Sequence, residues 1–358
     1  MSLEAWLRRI GPAQTTLPRV DEAARLATYP PPFPHGWYAL CDGQDLPRGE
    51  KRFVEALGEK LVVFRGEDGT LGVLDAYCPH LGANLAGGEV RGNCLECPFH
   101  RWTFATDGSV ERIPYAERVP RTMRTRAWPV REHHGLVLMW YGSDEPKWVI
   151  EAIDDIAHGR MIYRGRHDAG SVRMHLCEFA ENSADHRHFA PLHGEMMVPW
   201  TRLRIPGMRV IHEATWEPDP EHPHLAYFKD EAVLELFGRV LPRTSAQATI
   251  TFYGPGAVVA FRISVPDMGD IVIFQTHLPL APLEQHVRFR WFADAHLPRP
   301  LVAYVVGNWV SQWREDITIW ENKIFRDKPM LVAGDGPMHA MRRWFRQFYE
   351  PGEASPRA

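Results

Sequence analysis

The stretch CPHLGANLAGGEVRGNCLECPFH, residues 78–100, decides the reading of the first half of the chain. It holds Cys78-x-His80, then sixteen residues, then Cys97-x-x-His100. Each half offers one thiolate and one imidazole from one loop. Together they give four soft-to-borderline ligands, a set suited to zinc or to an iron–sulfur centre. Gly82, Gly87, Gly88 and Gly92 let the backbone turn tightly around a metal. In one reading Cys78 and Cys97 hold one iron of a [2Fe–2S] cluster, and His80 and His100 hold the other. Two neutral imidazoles in place of two thiolates remove negative charge and raise the reduction potential. In the other reading Cys94 and Cys97 join Cys78 and His80 around structural zinc. Zinc patterns usually keep cysteines and histidines in separate pairs, whereas here each pair is mixed. The mixed pairing favours the cluster. Cys94 is then a free thiol, and Cys41 and Cys177 are small packed side chains.

Working outward, residues 36–142 read as short strands. "KLVVFR" and "TLGVLDAY" flank an Asp68-Gly69 turn, and "RWTFATDGSVERI" repeats the device at Asp107-Gly108. "GLVLMWYG" closes an all-β unit. Pro30, Pro31, Pro32 and Pro34 punctuate its start. Strands return in "SAQATITFYG", "AVVAFRISV", "DIVIFQTHL" and "HVRFRWFADA". The segment 299–326 has helical periodicity through Leu301, Val305, Trp309, Trp313, Trp320 and Ile324, and "MHAMRRWFRQFY" predicts a last short helix. The fold class is α+β: an N-terminal all-β domain, then an antiparallel sheet gripping one long helix. The expected divisions are a lead-in at 1–33, a cluster domain at 34–145, a catalytic domain at 146–350 and a tail at 351–358.

A second constellation explains the catalytic domain. "HLCEFAENSADHRHF" (175–189) reads as helix and continues to Pro191 and His193. Asp185 and His188 are three apart and share a helix face. His188 and His193 are separated by about 140° on a straight helix, so both could not ligate one metal. Pro191 breaks the helix and lets His193 swing back. His186 points away by phase. On the 299–326 helix Asp316 falls on the tryptophan stripe, where an unpaired carboxylate is costly and a metal offsets the cost. Glu315, Glu321 and Lys323 are expected in solvent. His188, His193 and Asp316 make a 2-His-1-carboxylate triad, which suits non-haem Fe(II) with open positions for O2. A zinc hydrolase could use the same set. A one-electron carrier beside an oxygen-activating iron is coherent; beside zinc it has no purpose.

Composition sets the outer bounds. The 358 residues are 45% apolar and 24% charged, which excludes disorder and disulfide-dense scaffolds. Forty-one basic against forty-five acidic residues give −4, a poor balance for a nucleic-acid binder. No apolar run is long enough for an integral membrane segment and no signal pattern opens the chain, so a cytoplasmic location is expected.

The two motifs together resemble those of Rieske oxygenases. "ENSADHRHFAPLH" is similar to the iron-binding stretch of that family, and "QWREDITIWENK" places the carboxylate ligand at Asp316. The resemblance implies that Asp185 bridges cluster and iron, that the bridge crosses between protomers of a homotrimer, and that NAD(P)H electrons arrive through a ferredoxin or a flavin/iron–sulfur reductase. "LFGRVLPRT", "TFYGPGAVV", "QTHLPLAPLEQHVRFRWFA" and "DGPMHAMRRWFRQFYE" are similar to the cholesterol 7-desaturase (Neverland) group, with the 3-ketosteroid 9α-hydroxylases close by. This implies oxidation of a C–H bond of a sterol- or steroid-like substrate, by 7,8-desaturation first, with hydroxylation or arylamine N-oxygenation as alternatives. A Rieske electron-transfer protein without catalysis is the non-enzyme alternative. Met196, Met197, Trp200, Phe237, Phe252 and Trp309 are candidate lining residues. Arg342, Arg343 and Arg346 read as a solvated helix face, with ferredoxin docking as the alternative.

Overall fold

The computed structural model describes residues 20–142, 145–265 and 267–350; the expected lead-in up to residue 19 and the expected tail at 351–358 lie outside the described residues. One unit comprises Phe33–Ile153 with His277–Pro282. It carries β1 (Gly36–Asp42), β2 (Lys51–Ala56), β3 (Glu59–Arg65), β4 (Leu71–Asp75), β5 (Glu89–Arg91), β6 (Cys94–Glu96), β7 (Thr103–Phe104), β8 (Val110–Arg112), β9 (Val130–His133) and β10 (Leu136–Tyr141). These form sheets β2-β3-β4, β1-β10-β9 and β5-β6-β7-β8. Both turn signals hold: β3 pairs antiparallel with β4, and β7 with β8. In β3, Leu61–Phe64 are wholly buried, because that strand is central. Its Val62 and Phe64 join Leu74, Leu85, Leu95 and Phe104 in a core that also holds Cys78, Cys97 and Trp102. The two Cys/His loops are thus built on the core itself.

The other unit comprises the described residues up to Pro32, those of Asp154–Thr276, and those from Leu283 onward. Its strands are β11 (Met161–Val172), β12 (Glu195–Met197), β13 (Arg204–Pro218), β14 (Leu225–Leu236), β15 (Arg239–Tyr253), β16 (Val258–Val265), β17 (Gly269–Ala281) and β18 (Glu284–Asp294). They make one sheet in the order β11-β18-β17-β16-β15-β14-β13-β12. From β12 to β18 the chain meanders, and β11 is added beyond β18. The helices are α1 (Glu22–Leu26), α2 (Asp154–Ala157), α3 (Leu176–Ala184), α4 (Arg299–Trp320) and α5 (Met338–Arg346). "HVRFRW" in β18 alternates as a half-buried strand should: Val287, Phe289 and Trp291 are buried, and the arginines between them are not. Phe289 meets Trp313 of α4 at 5.2 Å, and Phe261 of β16 meets Trp309 at 4.5 Å. These pairs hold the long helix on the sheet. α4 stops at Trp320, earlier than its periodicity predicts, and the buried Arg25 guanidinium donates to the Trp320 and Lys323 carbonyls at that end. A cation there satisfies open carbonyls and complements the helix dipole.

Candidate functional site

The two Cys/His loops share one backbone design. Cys78 N–H donates to the Ala83 carbonyl at 2.9 Å, and Cys97 N–H to the Trp102 carbonyl at 2.7 Å, each five residues on. The Cys78 carbonyl accepts from Gly82 N–H at 2.9 Å, and the Cys97 carbonyl from Arg101 N–H at 3.2 Å, each four residues on. Gly82 and Arg101 occupy this equivalent position with φ of 74° and 61°. The left-handed turn reverses the loop in both cases; glycine takes it freely, and Arg101 takes it at a cost. At Gly88 a Cβ would lie 1.8 Å from the Glu96 carbonyl oxygen, so only glycine fits between the loops.

Cys78 and Cys97 are buried, while His80 and His100 are half-buried with ring centroids 4.8 Å apart. Burial, reinforced by Cys97, pushes the Cys78 thiol up to about 11. Such a thiol ionises when a cation binds it. His80 Nδ1 is buried without a hydrogen-bond partner, as a ring nitrogen reserved for a metal would be. Trp102 stacks on the His80 ring at 4.6 Å and 7°. This donor set fits a two-iron cluster. Zinc would need four ligands converging on one point. Among the described residues, the only group of three or more metal-type ligands meeting around one point is His188, His193 and Asp316.

That second group forms from two elements. α3 ends at Ala184, and Asp185 leaves helical geometry with ψ of 91°. Its carboxylate accepts from Arg187 N–H at 3.0 Å, capping a short 3-10 turn at His186–His188. A π turn over Phe189–His193 follows. The chain therefore re-aims at Asp185, before Pro191. The cause is the aspartate, whose side chain offers the backbone a capping bond that competes with helix continuation. Asp185 and His188 consequently do not share a continuous helix face. Instead His188 Nδ1 meets the Asp185 carbonyl at 2.5 Å, with the carboxylate 3.9 Å away. With Nδ1–H donating in this bond, Nε2 is left with a lone pair that a metal could take.

The ligand atoms of His188, His193 and Asp316 lie within 4.8 Å of one another. His193 Nε2 is 3.2 Å from Asp316 Oδ1, and both side chains are almost fully buried. His193 Nδ1 and Asp316 Oδ1 have no hydrogen-bond partner. A carboxylate buried on the same helix as the buried Trp313 and Trp320 carries a desolvation penalty of roughly several kcal/mol unless a cation offsets it. Burial holds the His188 pKa down, which keeps the imidazole in its ligating form. The donor set and the orphaned atoms fit a divalent metal with open positions.

The triad opens onto a cleft that is partly open to solvent. Its walls are Phe179, Phe228, Ile250, Phe252, Phe261 and Trp309, with Asn182, Ser183 and Gln312 as polar points. Phe252 and Trp309 line it as expected. Met196 and Met197 are buried and do not line it, Trp200 covers Gly307 of α4, and Phe237 is 80% exposed at a hairpin tip. Asn182 and Gln312 are additions to the sequence reading: Asn182 Nδ2 lies 3.2 Å from His188 Nε2, and Gln312 sits one turn before Asp316. The spacing of Gln312 to Asp316 carried the second signal; nothing in the sequence distinguished Asn182. His186 packs on Phe228, outside the triad.

Three charged residues expected in solvent are paired. Lys323 Nζ lies 2.5 Å from Glu178 and 3.1 Å from Glu181, and Glu181 also holds Arg342. Burial pushes the Glu178 carboxyl up; burial also opposes the Lys323 charge, but the two carboxylates more than offset this and hold its pKa high. Glu315 pairs with Arg204 at 3.0 Å, and Glu321 accepts from Arg173 N–H at 3.2 Å. Arg342 is thus an anchor of α5 on α3, neither a solvated nor a docking residue.

Residues 36–124 match the Rieske [2Fe-2S] domain, and residues 139–349 match the 3-ketosteroid 9alpha-hydroxylase C-terminal domain. The chain is 37% identical over 341 residues to a cholesterol 7-desaturase of Hemicentrotus pulcherrimus, covering 92% of this chain and 72% of that protein. The chain belongs to the Rieske oxygenases. It is also 31% identical over 354 residues to a probable 3-ketosteroid-9-alpha-monooxygenase, oxygenase component, of Rhodococcus rhodochrous, covering 90% and 82% of the two chains. The fold of this oxygenase is similar to that of dicamba monooxygenase (TM-score 0.63, 18% identity, 87% and 96% of the chains). It is similar likewise to NdmA of Pseudomonas putida CBB5 with caffeine (TM-score 0.67, 18% identity, 91% and 92%). As a Rieske oxygenase the protein is an O2-using oxidoreductase whose cofactors are a Rieske [2Fe–2S] cluster and a mononuclear non-haem iron. No helix among the described residues is long and apolar enough to cross a membrane.

Proposed function

We propose that this chain is the oxygenase component of a sterol- or steroid-oxidising system, acting as a 7,8-desaturase of a cholesterol-like substrate. The observation that carries the reading is the buried triad of His188, His193 and Asp316 at the floor of an apolar cleft. Cys78, Cys97, His80 and His100 would hold the cluster, and the triad would hold the iron, which supplies O2 activation when bound. The protein's own part is orientation and exclusion of water. Asp185 positions His188 through its carbonyl, and its half-exposed carboxylate would link to a cluster histidine of a neighbouring copy in a homotrimer. Phe179, Phe228, Phe252 and Phe261 hold a planar apolar ring system and keep bulk water from the open metal positions. Electrons would come from NAD(P)H through a separate ferredoxin or flavin/iron–sulfur reductase. The similarity of residues 139–349 to the 3-ketosteroid 9alpha-hydroxylase domain supports one alternative outcome on the same site, hydroxylation.

The test is a product-mass assay with purified holoenzyme, a surrogate reductase, NADH, air and a panel of cholesterol and a 3-ketosteroid. Loss of two hydrogens from cholesterol is the expected result. Gain of one oxygen on the ketosteroid would move the protein to hydroxylation. No product from either, with both metals in place, would refute the steroid substrate.

A further inference from the structure

Residues 111–122 form a closed loop beside the cluster loops. Val110 N–H donates to the Met123 carbonyl at 3.2 Å, and Ser109 bridges to Arg124 at its base. Ile113 is buried and Val119 half-buried in the same core as Cys78, Cys97 and Trp102, so the loop is pinned to the ligand loops from inside. Its outward side chains are different in kind. The side chains of Arg112, Arg118 and Arg121 are exposed and make no ion pair or hydrogen bond among the described residues, while Arg91, Arg101 and Arg124 nearby are held by Glu89, Glu96 and Asp107. Residues 100–126 carry six arginines against three carboxylates, on a chain of net charge −4. Tyr115, 64% exposed, stands among them. Its hydroxyl accepts from Trp102 Nε1–H at 2.9 Å, and the Trp102 indole lies parallel to the His80 ring at 4.6 Å. Trp102 is itself buried. A continuous contact therefore runs from an exposed phenol, through one buried indole, to a ring read as a cluster ligand.

We infer that this loop is the docking surface for an acidic one-electron donor of the [2Fe–2S] ferredoxin type, and that Tyr115 and Trp102 carry its electron to the His80 side of the cluster. The inference rests on the reading of His80 as a cluster ligand. Unpaired arginines around an exposed aromatic favour an acidic partner, steering its approach and anchoring it. The transfer balances simply: one electron leaves the donor's cluster, which is oxidised, and enters the Rieske cluster, which is reduced. No bond to the protein forms or breaks.

The test uses the holoenzyme and an acidic plant-type [2Fe–2S] ferredoxin kept reduced by its own reductase. Calorimetry gives the Kd across a salt series, and stopped-flow absorbance gives the rate of Rieske-cluster reduction, by ferredoxin and by dithionite. Combined Arg112→Gln, Arg118→Gln and Arg121→Gln should weaken binding, slow second-order reduction by roughly tenfold or more at low salt, and flatten its salt dependence. Tyr115→Leu should cut the limiting rate at saturating ferredoxin several-fold, and Tyr115→Phe, which keeps the ring but loses the hydrogen bond, should fall between. Dithionite should reduce every variant at the wild-type rate. Unchanged Kd and ferredoxin rates in the triple variant would overturn the docking surface. An unchanged limiting rate in Tyr115→Leu would overturn the path. A wild-type protein with no Rieske spectrum would overturn the cluster reading instead, which the absorbance shows before any ferredoxin is added.

Discussion

The two candidate metal centres are built by different means. The cluster loops lie within residues 78–100 and repeat one hydrogen-bond pattern, Cys N–H to the carbonyl five on and Cys carbonyl to the N–H four on. The candidate iron triad joins a 3-10 turn, a π turn and the C-terminal part of a helix more than a hundred residues later. A site whose ligands sit in one stretch holds its geometry through local backbone bonds. A site assembled from distant elements depends on packing: Phe289 on Trp313, Phe261 on Trp309, and the Glu178, Glu181, Lys323 and Arg342 cluster that fixes α3. The two should therefore fail independently, and their failures should look different.

The largest effect expected is from Asp316→Ala. It should abolish turnover and remove the mononuclear iron in metal analysis, while the cluster's visible spectrum persists; retained activity would take Asp316 out of the site. His100→Ala should do the reverse, bleaching the cluster and sparing the iron, and an intact Rieske spectrum would break that ligand assignment. Asp185→Asn sharpens the comparison, because the amide oxygen can still cap Arg187 N–H. Both metals should stay, and single-turnover rates should drop by orders of magnitude; wild-type rates would rule out the bridge.

The smallest effect is on stability. His175 is fully buried, accepts from Cys177 N–H at the start of α3, and is held by burial from its usual 6.5 down to about 4. Its folded pKa lies below its unfolded one, so the unfolded chain binds the extra proton between these values. Stability should accordingly fall as pH drops from 6.5 toward 4, by roughly 3 kcal/mol in total. Urea midpoints across that window should slope less in His175→Asn than in wild type. Equal slopes would show that the buried imidazole is not the source.

The same contrast explains what the sequence made legible. The Cys/His loops of the Rieske domain could be read directly, because type and spacing coincide in one segment. Asp316 was legible through the cost of a carboxylate on a tryptophan stripe, and the structure buries it with Trp313 and Trp320. His193 was expected to turn back at Pro191; the turn begins at Asp185, whose own capping bond periodicity cannot see. Lys323 and Glu315 were placed in solvent by helical phase alone, yet each has a partner from a distant element. Phase locates a face, and only the fold says what stands opposite. Asn182 was illegible for the same reason: its relation to His188 exists only after α3 has ended.

The central claim is that His188, His193 and Asp316 hold an oxygen-activating ferrous iron apart from the cluster. The most direct test is electron paramagnetic resonance of the dithionite-reduced protein under nitric oxide. The account predicts a high-spin ferrous–nitrosyl signal beside the Rieske signal in wild type, and only the Rieske signal in Asp316→Ala. A full Rieske signal with no nitrosyl signal in wild type, or a nitrosyl signal that survives Asp316→Ala, would contradict it.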